Sequence, residues 1–219
     1  MVLLEGPRVV REAVSCGVHL EVLALRDGVK LDVPAERRVT LSERAFASVS
    51  QTVTPQGVLA VARREPVPVS EALATARAAG WPLVVLDGVQ DPGNVGAICR
   101  TAAAAGAPAL VVLAGGADPF AAKAVRASAG NVFRLAVGRG DWQQLAGLQG
   151  FGAAAAGGVP LERADLEGAG LLALGSEAHG LRRADLQPVT IPMAPGVESL
   201  NVAAAAAVLL FEVRRRRAA

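Results

Sequence analysis

The chain has 219 residues, 52% of them apolar and 3% aromatic, with a formal charge of +2 from 22 basic and 20 acidic side chains. That length suffices for one large domain or two modest ones with an ample core, and the near balance of charge does not by itself announce a nucleic-acid partner. The longest apolar run, Val202 to Phe211, falls short of the roughly 20 residues that a bilayer span needs, and Met1 to Arg8 lacks the pattern of a signal peptide, so a cytoplasmic protein without membrane association is expected. Cys16 and Cys99 are too few for a disulfide framework and lack metal-ligand spacing; both read as small apolar residues of the interior, and no metal is expected.

In chain order, residues 5–16 (EGPRVVREAVSC) predict a helix with Pro7 in its opening turn, Val9, Val10, Ala13 and Val14 on one face, and Gly17 at its end. His19 to Leu25 predicts a short strand, Val39 and Thr40 a second, Leu41 to Val49 a helix, and Val58 to Ala62 a buried strand entered through the turn Thr54 to Gly57. Nine basic and seven acidic side chains fall in residues 1–64 and thirteen of each in the remainder, so the small basic excess is N-terminal. Arg63 to Val69 carries two prolines and several charges, the composition of a linker or an exposed edge. The boundary is placed there: residues 1–64 form a small α/β unit, 65–79 a linker and first helix, and 80–219 the larger domain.

In that larger part, strands at Pro82–Leu86, Ala109–Leu113, Val132–Val137, Phe151–Ala155 and Leu171–Leu174 are interleaved with helices at Gly93–Ala105, Pro119–Ala129 and Asp141–Leu148. Short apolar strands joined by helices predict an α/β fold, a parallel sheet with helices on both faces and ligands at the carboxyl ends of the strands. The loops after Leu86, Leu113 and Leu174 are therefore the places to look. The final stretch, Ile191 to Val213 (IPMAPGVESLNVAAAAAVLLFEV), joins an irregular loop held open by Pro192, Pro195 and Gly196 to an abrupt apolar helix, with Ser199 as the expected helix start. Ala203 to Ala207 expose so little side chain that this helix is suited to close approach by a neighbouring element or a second copy of the chain. Arg214 to Arg217 reads as a solvated helix terminus complementing the dipole, with phosphate contact as the alternative.

Two polar segments break the apolar pattern. After Leu86 the chain reads DGVQDPGNVGAICRTAAAAG, placing Gly93 and Gly96 at a strand-to-helix turn whose amides are suited to hold an anion. The G-x-G-x-x-G pattern and the following acidic residue of a dinucleotide site are both absent. Asn94 and Arg100 occupy the first two turns of this helix, and Arg100 is the odd residue among Ile98, Ala102 and Ala103: either a charge that snorkels to the surface or a phosphate or ribose contact. After Leu174 comes GSEAHGLRR, where Gly175 lets backbone approach a ligand closely. Glu177 is the better candidate there than His179, which has no nucleophile or carboxylate at a useful spacing; the bland alternative for Glu177 is a helix N-terminal charge ahead of Leu181.

These residues carry a resemblance. Asn94-Val-Gly96-Ala-Ile-Cys-Arg100-Thr-Ala, Leu174-Gly175-Ser176-Glu177-Ala-His-Gly180-Leu, and Ile191-Pro-Met193 with Ser199-Leu200-Asn201-Val202 resemble, in order, the three motifs of the SpoU branch of the SPOUT RNA methyltransferases, over residues 80–213. The Gln56-Gly57-Val58 turn and the opening Glu5-Gly6 resemble the small RNA-binding domain that precedes many such catalytic domains. The resemblance implies a homodimer that transfers methyl from S-adenosyl-L-methionine to a ribose 2′-hydroxyl of RNA rather than DNA. It also implies a C-terminal trefoil knot, against the general rule that chains do not thread. By the same resemblance Gly175, Ile191, Met193, Leu200 and Leu113 hold the cofactor, chiefly through backbone groups, while Asn94, Arg100, Glu177, Ser199 and Asn201 line a catalytic pocket that partly faces the partner subunit. A sulfonium is already a good leaving group and mainly needs an aligned hydroxyl. A guanidinium with a pKa above about 12 is a poor base, so Arg100 is read as the positioner of phosphate and hydroxyl. Two residues depart from the family pattern: Ala203 stands where Ser is common, and Pro195 where Gly is usual. Ribosomal RNA is favoured over transfer RNA because the extra domain is N-terminal. The alternatives are a tRNA 2′-O-methyltransferase, a catalytically silent RNA-binding dimer of the same fold, and a nucleotide-binding α/β module of another purpose.

Overall fold

A computed structural model describes residues 1–176, 180–183 and 185–218. The chain opens with a strand that the sequence reading merged into the first helix. β1 (Val2–Glu5) pairs antiparallel with β4 (Val58–Ala62), and only then does Pro7 open α1 (Pro7–Ser15). β2 (Leu20–Arg26) lies antiparallel to β4 and parallel to β3 (Arg37–Leu41), giving the order β1-β4-β2-β3. α2 (Glu43–Val49) starts where the Ser42 hydroxyl accepts the Ala45 N–H at 3.3 Å, and it buries Phe46.

After α3 (Val69–Ala78) come β5 (Leu83–Asp87), α4 (Pro92–Ala105), β6 (Ala109–Leu113), α5 (Ala122–Ala127), β7 (Ala136–Gly140), β8 (Gly150–Ala153), β9 (Val159–Pro160), β10 (Leu171–Gly175), β11 (Gln187–Thr190) and α6 (Val202–Arg217). The seven strands form one sheet in the order β7-β6-β5-β10-β8-β11-β9, with every neighbouring pair parallel. Successive side chains of a strand point to opposite faces, and both faces here are dry. Leu83 and Val85 of β5, Ala109, Val111 and Leu113 of β6, and Leu171 and Ala173 of β10 pack with Val69, Ala72 and Ala76 of α3. Val84, Leu86, Leu110, Val112, Leu172 and Leu174 face the other way, into the core that holds α4 and α6.

Three local expectations need correction. The strand expected from Val132 begins at Ala136; Asn131–Arg134 is a 3-10 turn, because the buried Ser128 hydroxyl accepts the N–H groups of Gly130 and Val132 at 3.2 and 3.4 Å and curls the chain. The helix expected over Asp141–Leu148 shrinks to a 3-10 turn, Trp142–Leu145, stopped after a capping box between Asp141 and Gln144. Asn201, not Ser199, caps α6. The terminal arginines are exposed, apart from the half-buried Arg216, but three are anchored as well: Arg214 donates to the Ala105 carbonyl at 3.2 Å, Arg216 to the carbonyls of Leu161 (2.7 Å) and Ala164, and Arg217 to those of Ala79 (2.7 Å) and Gly80 while lying over the Trp81 ring. Cys99 is buried, which pushes its thiol up to about 12, whereas Cys16 is only half-buried.

The two sheets share one apolar core, in which Val2, Leu4 and Val10 sit with Val125, Val132 and Phe133. Two ion pairs cross the same seam. Arg134 meets Glu12, and Arg126 reaches the buried Glu5 at 3.4 Å. Burial alone raises the Glu5 carboxyl, but hydrogen bonds from Ser50, Thr52 and the Gln51 N–H, with Arg126 nearby, outweigh it and hold the group below the usual range.

Candidate active site

The carboxyl ends of β10 and β8, the loop that follows β11 and the start of α6 enclose a cavity of about 330 Å³. Leu174, Gly175 and Ser176 supply one wall and Ala153 to Ala155 another; Ile191, Met193, Ser199 and Leu200 come from the loop, and Val202, Ala205 and Leu209 from the helix. Gly175 is glycine for a steric reason. A Cβ there would fall on the carbonyl of Gly180 and the amide of Leu181, so the chain closes on itself and presents backbone to the cavity. Ser176 and Gly180 complete that closure, with the Gly180 N–H donating to the Ser176 carbonyl at 2.9 Å.

Helix α4 brings the second segment alongside. Its N-cap, Asp91, accepts the Gly93 N–H at 3.2 Å and the Lys123 ammonium at 2.6 Å; Lys123 and that amide hold the carboxyl below the usual range. Gly96 serves packing rather than anion binding, since a Cβ would overlap the Ala124 carbonyl of α5. Asn94, in the first turn, accepts a hydrogen bond from the Asn201 side chain at 3.3 Å, while Asn201 Oδ1 accepts the Ala203 N–H at 2.9 Å and caps α6. One residue thus fastens two elements.

Of the residues expected to hold a cofactor, Gly175, Ile191, Met193 and Leu200 line the cavity, and so does Ser199. Leu113 does not. It ends β6 on the face packed against α3, and the parity of the strand keeps it there. Arg100 is exposed in the third turn of α4, and no described side chain engages it by hydrogen bond or ion pair. Glu177 and His179 lie outside the described residues.

The sequence reading passed over a buried carboxylate. Asp87 is fully buried at the end of β5, opposite Gly175 in register, and accepts the Arg182 N–H at 2.7 Å, Arg182 Nε at 2.6 Å and Trp142 Nε1 at 3.2 Å. The signal was available: a charge ending a wholly apolar strand must find partners.

A doubly covered parallel sheet, with a cavity built from a glycine turn and a loop leading into the last helix, defines the class. Residues 82–211 match the model of the SpoU rRNA methylase family and residues 1–60 that of an MRM3-like substrate-binding domain; the chain belongs to the SpoU rRNA methylase family. Among individual relatives, the 23S rRNA (guanosine(2553)-2′-O)-methyltransferase RlmP of Bacillus subtilis is 35% identical, the match spanning 97% of this chain and 88% of that protein. The SpoU methyltransferase AviRb of Streptomyces viridochromogenes, solved in complex with AdoMet, superposes with a TM-score of 0.84 at 26% identity, over 99% of this chain and 90% of the other. An AdoMet-bound rRNA methyltransferase from Sinorhizobium meliloti gives 0.81 at 29% identity, over 98% and 87%.

Proposed function

We propose that the protein transfers a methyl group from S-adenosyl-L-methionine to a ribose 2′-hydroxyl of ribosomal RNA and acts as a homodimer. The single observation that carries the reading is that segments distant in sequence, around Gly175 and around Ile191 to Leu200, line one cavity, with Asn94 tied beside it through a 3.3 Å hydrogen bond from Asn201. The lining fits the cofactor. Leu174, Met193, Leu200 and Leu209 offer apolar surface for a purine, and the turn at Gly175, Ser176 and Gly180 offers backbone donors and acceptors, the mixture typical of small-molecule sites.

When bound, the cofactor supplies an activated methyl on a cationic sulfur. The protein's part is orientation. Asn201 fixes the start of α6 against α4, Ser199 stands at the cavity rim, and Arg100 offers a free fork of donors suited to an RNA phosphate next to the reacting sugar. Glu177, between Ser176 and Gly180 in sequence, is assigned to the same pocket. Residues 1–64 serve as the RNA-capturing unit, consistent with the substrate-binding family match. Val208 and Phe211, three apart on α6 and 40% and 46% exposed, present an apolar surface suited to a second copy of the chain.

The name of the Bacillus relative makes a guanosine ribose of 23S rRNA the first substrate to test. Labelled methyl is expected to enter that RNA as a nuclease- and alkali-resistant ribose mark. Arg100→Ala should lower kcat/KM on the order of a hundred-fold or more, while changing stability by no more than about 0.5 kcal/mol for an exposed side chain. Label on transfer RNA alone would refute the ribosomal assignment, and no transfer to any RNA would leave the silent-dimer reading.

A further inference from the structure

We propose that Asp87 and Arg182 form a positioning clamp that sets the shape of the cofactor cavity's glycine wall, although neither lines the cavity. The inference rests on the reading of that cavity as the S-adenosyl-L-methionine site.

Asp87 is the only fully buried acidic side chain among the described residues; Glu5, the other buried one, retains 5% exposure. Its carboxylate takes hydrogen bonds from both the backbone and the side chain of Arg182, and an ion pair at 2.5 Å. The Arg182 guanidinium also donates to the Ala114 carbonyl at 2.7 Å, so a single side chain ties the ends of β5 and β6 to the strand-end turn. The next residue repeats the device in the opposite direction. Arg183 donates to the carbonyls of Leu145 and Leu148, each at 3.1 Å, pairs with Asp185, and lies over Trp142, whose indole N–H itself bonds to Asp87. The chain is therefore pinned immediately after Gly180, and Gly180 packs against Gly175 with no side chain between them.

Where Gly175 meets Gly180 the wall is backbone alone, with no rotamers with which to adjust, so its position there is set by what holds the flanking chain. One end is β10, hydrogen-bonded in the sheet, and the other is the clamp. A buried carboxylate that served stability alone would be replaceable by apolar packing. Its bonding to the one chain segment that closes the cavity turn indicates a role in affinity for the ligand.

The test is calorimetric titration of the intact protein with S-adenosylhomocysteine, together with kcat and both KM values. Arg182→Ala, a half-exposed site at which the backbone bond to Asp87 survives, is expected to weaken binding about ten-fold. It should raise KM for the cofactor and leave KM for RNA and kcat at saturation unchanged. Asp87→Asn should act in the same direction; should it fail to fold, Arg182→Ala alone decides. Arg217→Ala is the control: it removes comparable hydrogen bonds at the amino end of β5 and is expected to lower Tm while keeping affinity within about two-fold. Tight binding by wild type with unchanged affinity in Arg182→Ala, or an equal loss in Arg217→Ala, would overturn the clamp alone. Failure of wild type to bind would overturn the cofactor reading and the clamp together.

Discussion

Replacing Gly175 with Ala adds one methyl at the most crowded point of the cavity wall. The new carbon would fall on the Gly180 carbonyl and the Leu181 amide, all backbone, so no side-chain rotation relieves the overlap. Relief requires the turn to open and the 2.9 Å hydrogen bond from the Gly180 N–H to the Ser176 carbonyl to lengthen. Overpacking of this kind costs about 1–3 kcal/mol. Because the displaced backbone is also the surface offered to the ligand, one or two ligand hydrogen bonds should be lost as well, a further 1–3 kcal/mol or so. The expected outcome is a rise of about ten- to hundred-fold in the dissociation constant for S-adenosylhomocysteine, read by calorimetry under conditions where circular dichroism shows the variant folded. A folded variant that binds as tightly as wild type would refute the assignment of this turn as the ligand wall.

The pH dependence of Glu212→Gln tests the α6 anchor. The hydrogen bond from Arg215, working against burial and helped by Arg216, lowers the Glu212 carboxyl to about 2. A depressed carboxyl stabilises the fold above its ordinary value and loses that contribution as pH falls toward the folded value. The wild type should therefore exceed the variant by about 2 kcal/mol near neutrality, after discounting for the exposed Arg215, with the gap closing between pH 4.5 and about 2; a gap independent of pH in denaturant melts would sink the idea. Phe211→Glu places a charge in the exposed apolar patch of α6, and sedimentation should show a shift from dimer toward monomer, whereas an unchanged sedimentation coefficient would place the interface elsewhere.

The interior strands of the parallel sheet were legible because both faces are buried, which leaves unbroken runs such as Leu83–Leu86 and Ala109–Leu113. The missed strands lack that signature. β11 reads Gln-Pro-Val-Thr with only Val189 buried, and β9 is two residues long; both are held by neighbours rather than by their own pattern. β1 was hidden because Glu5 ends the strand while seeming to begin the helix, a carboxylate whose partners come from residues 50–52 and from Arg126 and cannot be read locally. At the site, the polar motifs marked the positions that converge. Two things escaped them. The Leu113 side chain, which strand parity turns toward α3, does not join the cavity lining, and Asp87 is passed over although it organises the turn.

The seam at Glu5, Glu12, Arg126 and Arg134, together with the shared core, has a consequence for any macromolecule that touches both sheets. Because a common core and two ion pairs couple the sheets, a partner that reaches both the exposed Val53 tip and the cavity mouth has to match their spacing as well as their chemistry.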